Sequence, residues 1–245
     1  MGNIAIITAR SGSKGLRDKN IRKLCGKPLL AYSVECALQS GCFDRVFVST
    51  DSLEYAAIAE KFGADASFLR SEETSGDTAG SWDVVREVIY KFEERGEYFD
   101  RIMLLQPTSP LRTVSDIRNS FALMEEKGAN SVVSVCEMEH SPLWSNTLGE
   151  DLCMDNFRRE NYCDVRRQDL PKYYRLNGAV YLVNRAELDQ PQMLRHKSYA
   201  YIMPAERSVD VDTEFDFKIA ECYMAEDVRS FGMEENGTGN QRGFG

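Results

Sequence analysis

The feature that most constrains the fold of this chain is the change in composition that follows its first apolar segment. Residues 4–7 are an apolar run, which predicts a buried strand. Residues 10–27 then carry seven of the chain's thirty Lys and Arg residues, with Asp18 as their only acid. Gly12 and Gly15 allow a tight turn that presents backbone N–H groups. We therefore expect a strand that leads into a basic loop suited to a polyphosphate.

The spacing within this loop excludes two common phosphate-binding motifs. Lys14 stands two residues after Gly12, so the segment is not the GxxxxGK[ST] motif of P-loop proteins. The GxGxxG motif of dinucleotide-binding proteins would need a glycine where Lys14 stands. After the loop, Pro28 suits the first turn of a helix over residues 29–40, because its missing N–H is not needed there.

Strands and helices alternate along most of the chain. Strand patterns occur at residues 46–50, 68–70, 101–106, 131–135, 179–183 and 199–203, and helical patterns at residues 53–62, 84–92, 117–124 and from 213 onward. This alternation predicts an α/β fold with a mostly parallel, doubly wound, Rossmann-like sheet. The ligand site of such a sheet lies at the carboxyl ends of its strands, where we place Arg10, Asp51, Arg70 and Gln106.

The alternation breaks between about residues 140 and 175, where charges are mixed and periodicity is weak. We expect this segment to leave the sheet as an irregular arm that buries itself on a second subunit, which predicts a homodimer. Residues 1–228 then form one domain that carries the arm. Residues 229–245 are rich in glycine and are expected to be a disordered tail.

The composition of the chain indicates which classes of partner it can bind and in which cellular compartment it works. The net charge of −9 argues against nonspecific nucleic-acid binding, and no apolar run approaches the ~20 residues of a membrane span. The seven cysteines form no CxxC pair, and with only two histidines the chain has no zinc motif. We expect a cytoplasmic protein with reduced thiols that binds neither nucleic acid nor membrane.

A pair of acids precedes the last predicted helix. Asp210 and Asp212 alternate along an extended segment, so both carboxylates face one side and suit a hard divalent cation such as Mg²⁺. Such a pair is also common as a helix cap or a solvated turn. The basic loop favours the metal interpretation, because a triphosphate needs both protein cations and a magnesium ion to neutralise its charge.

Two further segments allow two interpretations each. The segment LLQPTSPLR contains Gln106, Thr108 and Ser109, which suit recognition of sugar hydroxyls or an amide, although its two prolines also favour a rigid turn. Arg166 and Arg167 are either part of a site or an exposed pair of charges.

Four segments of the chain resemble the CMP-N-acylneuraminate (sialic acid) synthetases. They are ARSGSKGLRDKN, LLQPTSPLR, RRQDLPKYYRLNGAVYL and SVDVDTEFDF, and they occur in the order and spacing of that family over residues 3–225. The chain is similar in length to the short bacterial members. The resemblance implies an α/β nucleotidyltransferase fold, dimeric through the irregular arm.

The resemblance also implies a role for individual residues. The implied nucleotide-binding residues are Arg10, Ser13, Lys14, Asn20, Arg70 and Ser81, the catalytic ones Arg10, Lys19, Asp210 and Asp212, and the sugar-binding ones Gln106, Arg167, Tyr174 and Asn177. Asp210 and Asp212 would hold Mg²⁺, and Arg167 would reach across the dimer interface. The implied reaction transfers CMP from CTP to the anomeric hydroxyl of a sialic acid and releases pyrophosphate, with Asp210 as candidate base.

Two departures from the family pattern and several alternatives remain. Thr8 stands where relatives commonly have proline, and Trp144 stands where some have a lysine that contributes to the partner's site. The acceptor is alternatively legionaminic acid, pseudaminic acid or another nonulosonic acid, and the nucleotide need not be CTP. A noncatalytic nucleotide-binding module and a dimeric scaffold are the alternatives outside enzymes.

Overall fold

The computed structural model describes residues 2–12, 15–76, 78–155, 157, 165–190 and 194–234, and beyond residue 225 it describes the backbone alone. Ser13 and Lys14 of the basic loop lie outside these residues. None of the described helices is both long enough and apolar enough to traverse a bilayer.

A six-stranded sheet forms the centre of the fold. Its strands are β1 (Asn3–Thr8), β4 (Arg45–Ser49), β5 (Arg101–Leu105), β6 (Ser131–Glu137), β7 (Tyr174–Asn184) and β8 (Ser198–Ile202). The order across the sheet is β4, β1, β5, β7, β6, β8, and a separate hairpin pairs β2 (Lys23–Leu24) with β3 (Lys27–Pro28).

Five of the six strands point the same way. β1 is parallel to β4 and β5, and β6 is parallel to β8, whereas β7 lies antiparallel to both of its neighbours, β5 and β6. The prediction of a mostly parallel sheet is therefore confirmed, and the single reversed strand is an addition that the sequence pattern did not indicate.

Helices cover both faces of the sheet. They are α1 (Leu29–Ser40), α2 (Leu53–Lys61), α3 (Glu72–Ser75), α4 (Ser81–Glu94), α5 (Val114–Lys127) and α6 (Glu214–Glu234). Alternate residues of β1 serve the two faces: Ala5 and Ile7 pack with α1, α2 and α5, whereas Ile4 and Ile6 pack with α4. Each fully buried isoleucine contributes about 1.5–3 kcal/mol. β1 is thus the centre of a doubly wound fold.

Capping residues fix the ends of two helices. Thr113 and Asp116 form a reciprocal cap at the start of α5, which ends at Gly128 with a φ of 55°. Thr213 and Asp216 form the same kind of cap at α6, where Thr213 N donates to Asp216 Oδ2 over 2.8 Å. This second cap confirms the start predicted for the last helix.

The prediction of a strand over residues 68–70 is wrong. Phe68 instead packs its ring against Phe47 and Phe92, at centroid distances of 4.5 and 5.3 Å. An isolated β-bridge joins Phe47 to Asp65, which precedes this segment in the chain. Phe68 therefore belongs to an aromatic cluster and does not add a strand to the sheet.

The predicted arm and tail overlap with regular structure at their borders. In the arm, the described part contains short 3₁₀ turns at Pro142–Trp144 and Arg167–Asp169, and β7 already begins at Tyr174. Helix α6 continues to Glu234, so residues 229–234 of the predicted tail are helical. The rest of the tail lies outside the described residues.

Candidate active site

A cleft of about 610 Å³ opens where the carboxyl ends of β1 and β5 meet the segment before α6. Eight of the residues to which the resemblance assigns a role line it: Arg10, Lys19, Asn20, Arg70, Ser81, Gln106, Asp210 and Asp212. The fold thus brings together the basic loop and the acidic pair, and it does so at the edge of the sheet where a doubly wound fold places its ligand.

The basic loop is fixed by contacts on both sides of its turn. Ser11 donates its backbone N–H and its hydroxyl to the two carboxylate oxygens of Asp51, over 2.7 and 2.9 Å. Asn20 donates its amide to the Arg10 carbonyl over 3.0 Å. Burial alone would raise the pKa of Asp51, but the bonds from Ser11 and the nearby charge of Arg70 outweigh it and lower that pKa. Asp51 is therefore an ionised anchor for the loop.

Lys19 and Asp212 join the two ends of the chain inside the cleft. Lys19 Nζ lies 2.7 Å from Asp212 Oδ1. Gly15 approaches the same segment so closely that an added Cβ would stand 2.8 Å from the Asp212 carbonyl oxygen, which leaves room for glycine alone. The loop and the acidic segment are in direct contact.

Asp210 differs from Asp212 in its surroundings. Its Oδ1 is buried and makes no hydrogen bond to any residue that the structure describes. Burial raises the pKa of Asp210, and the charge of Asp212 acts in the same direction. A buried carboxylate oxygen without a partner fits a cation, so the two acids suit the divalent metal expected from the sequence.

Arg70 is held at the cleft by the end of β4. Its Nε donates to Ser49 Oγ over 3.0 Å and its Nη2 to the Ser49 carbonyl over 2.9 Å. Burial lowers its pKa to about 10, so the guanidinium stays charged near neutral pH. A half-buried cation with a fixed orientation is suited to a phosphate or a carboxylate.

A buried arginine positions the backbone below Gln106. Arg112 donates to the carbonyl oxygens of Gln106 over 2.9 Å and Ala179 over 2.8 Å, and also to Ser33 Oγ. These bonds join β5, β7 and α1. Gly178, with a φ of 74°, lies against the Gln106 side chain, and an added Cβ would stand 2.5 Å from Gln106 Oε1. The position of Gln106 therefore depends on both residues.

Three of the predicted sugar-binding residues, Arg167, Tyr174 and Asn177, do not line this cleft. Asn177 is 1% exposed, and its amide is bonded to Ser134 and Ser208. Tyr174 lies exposed at the start of β7, and Arg167 borders a second, separate groove. Their roles in sugar binding stay predictions.

Tyr181 is a neighbour of the site that sequence reasoning missed. Its ring packs edge-on against Trp82 at 6.1 Å, and its backbone pairs with Leu104 of β5. Burial raises the pKa of Tyr181, and the charge of Asp210 acts in the same direction. No local pattern marks Tyr181, because the apolar residues on either side of it are buried on both faces of the sheet.

Comparison with known proteins identifies relatives of this chain. A family model described as cytidylyltransferase matches residues 4–221. The CMP-N,N'-diacetyllegionaminic acid synthase of Legionella pneumophila is 35% identical over 236 residues, which cover 90% of this chain and 95% of that protein. The N-acylneuraminate cytidylyltransferase of Escherichia coli is 38% identical over 218 residues, which cover 89% of this chain. This chain matches 51% of that second relative, about half of its length.

A solved structure shares the fold. The structure of CMP:2-keto-3-deoxy-manno-octonic acid synthetase complexed with CTP superimposes with a TM-score of 0.69, covering 93% of this chain and 100% of that one. At 19% identity the likeness extends to the fold alone.

Proposed function

This chain belongs to the cytidylyltransferase family, and on that premise we propose that it transfers CMP from CTP to the anomeric hydroxyl of a nonulosonic acid. The observation that carries this proposal is the meeting of Arg10 and Lys19 with Asp210 and Asp212 in one cleft. N-Acetylneuraminic acid is the first candidate acceptor, and legionaminic and pseudaminic acids are the alternatives. The two relatives compared above carry the names of a legionaminic and a neuraminic acid enzyme, which supports the class of acceptor.

The proposed reaction is an in-line displacement at the α-phosphorus of CTP. The anomeric oxygen forms a new bond to that phosphorus, the bond to the β-phosphate oxygen breaks, and pyrophosphate leaves. Arg10, Lys19 and Arg70 supply the positive charge that the triphosphate and its leaving group require. Mg²⁺, when held by Asp210 and Asp212, would add to that neutralisation and orient the phosphates.

Asp210 is our candidate for accepting the proton of the anomeric hydroxyl. Burial and the charge of Asp212 raise its pKa, which favours proton acceptance in a general-base role in the absence of a bound cation.

We also propose that the chain acts as a homodimer in the cytoplasm. The arm exposes large apolar side chains, with Leu148 50%, Leu152 68% and Met154 58% exposed, and such side chains support burial against a partner. Light scattering of the purified chain tests this assembly: a monomer mass at micromolar concentration would contradict it.

The reaction is tested by pyrophosphate release from CTP and Mg²⁺ with a panel of nonulosonic acids. We expect release with at least one acceptor and none without a sugar. The panel should contain N-acetylneuraminic, legionaminic and pseudaminic acids, together with 2-keto-3-deoxy-octonic acid as an eight-carbon control. Binding of CTP without turnover on any sugar would overturn the proposal and support a noncatalytic nucleotide-binding module.

A further inference from the structure

Strand β7 carries a bulge where it passes the cleft. The register between β6 and β7 shifts at Ser134, where this one residue of β6 faces residues 177–180 of β7. The Ser134 hydroxyl accepts the Val180 N–H over 2.7 Å and donates to Asn177 Oδ1 over 2.6 Å. Bulges beside ligand sites commonly redirect a side chain. Here a buried hydroxyl holds the bulge and fixes the direction of the Asn177 amide.

The hydrogen-bonding groups of the Asn177 amide are occupied within the protein. Its Nδ2 donates to Ser208 Oγ over 2.9 Å and to Met203 Sδ over 3.3 Å, and its Oδ1 also accepts the Ala179 N–H over 3.3 Å. Asn177 is 1% exposed and does not line the cleft. Because both of its N–H groups are engaged, it has no donor left for a sugar. These contacts favour a link to Ser208 over the sugar contact that the resemblance implies.

Ser208 is held against the sheet by two side chains of β7. It is fully buried, and its hydroxyl accepts from Asn177 while donating to the Pro204 carbonyl oxygen over 2.8 Å. Its own carbonyl oxygen accepts from Arg175 Nη2 over 3.0 Å. Side chain and backbone of Ser208 are therefore both fixed to the same strand.

Asp210 lies in a span of two residues, 209 and 210, that is held at each end. Ser208 is the anchor before it. After it, Val211 is fully buried, and its N–H donates to the Thr108 carbonyl oxygen over 2.8 Å. Asp210 Oδ1 is buried and makes no hydrogen bond within the described part of the chain. The direction of this oxygen therefore depends on a backbone that Ser208 and Val211 hold in place.

We infer that Asn177 is a positioning residue for the cation site: through Ser208 it holds the backbone of Asp210, so that the carboxylate is already in place for a divalent metal. The inference rests on the proposed function, because that function is what requires the metal. Without this anchor the segment would have to be ordered when the metal binds, and the cost of ordering lowers the affinity. Asn177 has this effect without touching the metal.

The test measures the binding of Mn²⁺ alone to the full-length chain, and the EPR signal of free Mn²⁺ gives the dissociation constant. Ser208→Ala and Asn177→Ala each remove one partner of the hydrogen bond between these residues. Ser120→Ala is the matched control for Ser208→Ala. Ser120 is also fully buried, and its hydroxyl also donates to the carbonyl oxygen four residues earlier over 2.8 Å, but it lies within α5 and outside the cleft lining.

Asn184→Ala is the matched control for Asn177→Ala. Asn184 ends the same strand at the opposite edge of the sheet, and its amide donates to the Ala129 carbonyl oxygen over 3.2 Å. Thermal melts of all variants show at which temperatures each is folded, and Mn²⁺ binding is compared below the lowest melting temperature.

We expect the dissociation constant for Mn²⁺ to rise about tenfold in Asn177→Ala and in Ser208→Ala, and to stay within about threefold of the unmodified chain in both controls. The double variant should bind Mn²⁺ no more weakly than the single variants, because both substitutions break the same bond. If Asn177→Ala does not fold, the comparison of Ser208→Ala with Ser120→Ala decides the question.

Unchanged Mn²⁺ binding in Ser208→Ala, or additive losses in the double variant, would overturn the inference even if pyrophosphate release supports the proposed function. A higher KM for the sugar in Asn177→Ala with normal Mn²⁺ binding would also overturn it and would support the sugar contact. Absence of turnover on every sugar, with the Mn²⁺ effects present, would overturn the proposed function and leave the inference standing. An unmodified chain that does not bind Mn²⁺ would overturn the inference together with the metal site.

Discussion

Lys19 Nζ and Asp212 Oδ1 lie 2.7 Å apart, although 193 positions separate the two residues in the chain. The Lys19 side chain is 11% exposed and that of Asp212 is 68% exposed, so the pair stands at the surface of the cleft. Solvent therefore screens the Asp212 end of the pair, whereas the Lys19 end is buried. In the proposed reaction Lys19 would serve the phosphates and Asp212 the metal, so each would have to exchange this contact for a ligand.

Removal of either charge should abolish the reaction and leave the fold intact. We expect Lys19→Met and Asp212→Ala each to lower kcat/KM for CTP by at least about 100-fold. The first removes a cation that neutralises developing charge, and the second removes a carboxylate of the proposed metal site. The free energy of unfolding of Asp212→Ala should change by no more than about 1 kcal/mol, in keeping with the exposure of that side chain. Pyrophosphate release and urea denaturation measure the two quantities. Near-normal release by Asp212→Ala would remove the metal assignment.

Weakening the anchor of the basic loop should reduce the affinity for CTP. Asp51→Asn removes the negative charge that accepts two hydrogen bonds from Ser11. We expect KM for CTP to rise about tenfold, which corresponds to about 1.4 kcal/mol, with a smaller effect on kcat. Asp44→Asn is the matched control, because Asp44 accepts the Asn3 N–H over 2.7 Å at the opposite edge of the sheet. Equal effects of the two substitutions on KM would show that Asp51 has no particular role at the loop.

A methyl group at Gly178 should displace Gln106. In Gly178→Ala the new Cβ would meet Gln106 Oε1 at 2.5 Å, and the φ of 74° adds backbone strain of about 1–3 kcal/mol. Gly128→Ala imposes similar strain, with a φ of 55°, but its Cβ meets no atom within 4 Å. We expect both variants to lose stability in thermal melts, and KM for the acceptor sugar to rise in Gly178→Ala alone. An unchanged KM in Gly178→Ala would argue against Gln106 as an acceptor contact.

Protonation of Asp116 should lower the free energy of unfolding at acidic pH. Burial alone would raise its pKa, but hydrogen bonds from Arg207 and Thr113 outweigh it and lower the pKa below that of the unfolded chain. Asp116 therefore stabilises the fold above an unfolded-state pKa of about 3.9, and this contribution is lost as the pH falls through the lower folded-state value. Asp116→Asn should cost about 1.5–3 kcal/mol at pH 7 and weaken the pH dependence of unfolding below pH 4. An unaltered pH dependence in urea titrations would contradict this assignment.

Much of the fold was predictable because local patterns and tertiary packing agree. The apolar run at residues 4–7 is buried on both faces, as the central strand of a doubly wound sheet must be. Thr213 and Asp216 identify the start of α6 through a cap that depends on neighbouring residues alone. The rule that ligands bind at the carboxyl ends of strands placed Arg10, Arg70 and Gln106 together, and all three line the cleft.

The features that could not be predicted depend on contacts between distant segments. Residues 68–70 have the composition of a strand, but the ring of Phe68 packs against those of Phe47 and Phe92. The reversed direction of β7 follows from its pairing with β5 and β6, which no local pattern records. Tyr181 enters the neighbourhood of the site only because β7 is inserted there. Thr108 was visible in the sequence, but its carbonyl oxygen accepts the Val211 N–H only in the folded chain.

The reversed direction of β7 also determines where the chain can vary in length during evolution. β6 ends, and β7 begins, at the same edge of the sheet as the cleft, so the arm is a long excursion at the tip of one antiparallel pair. Such an excursion can be lengthened, shortened or replaced during evolution without shifting the register of any strand. The arm can therefore vary beside an unaltered cleft.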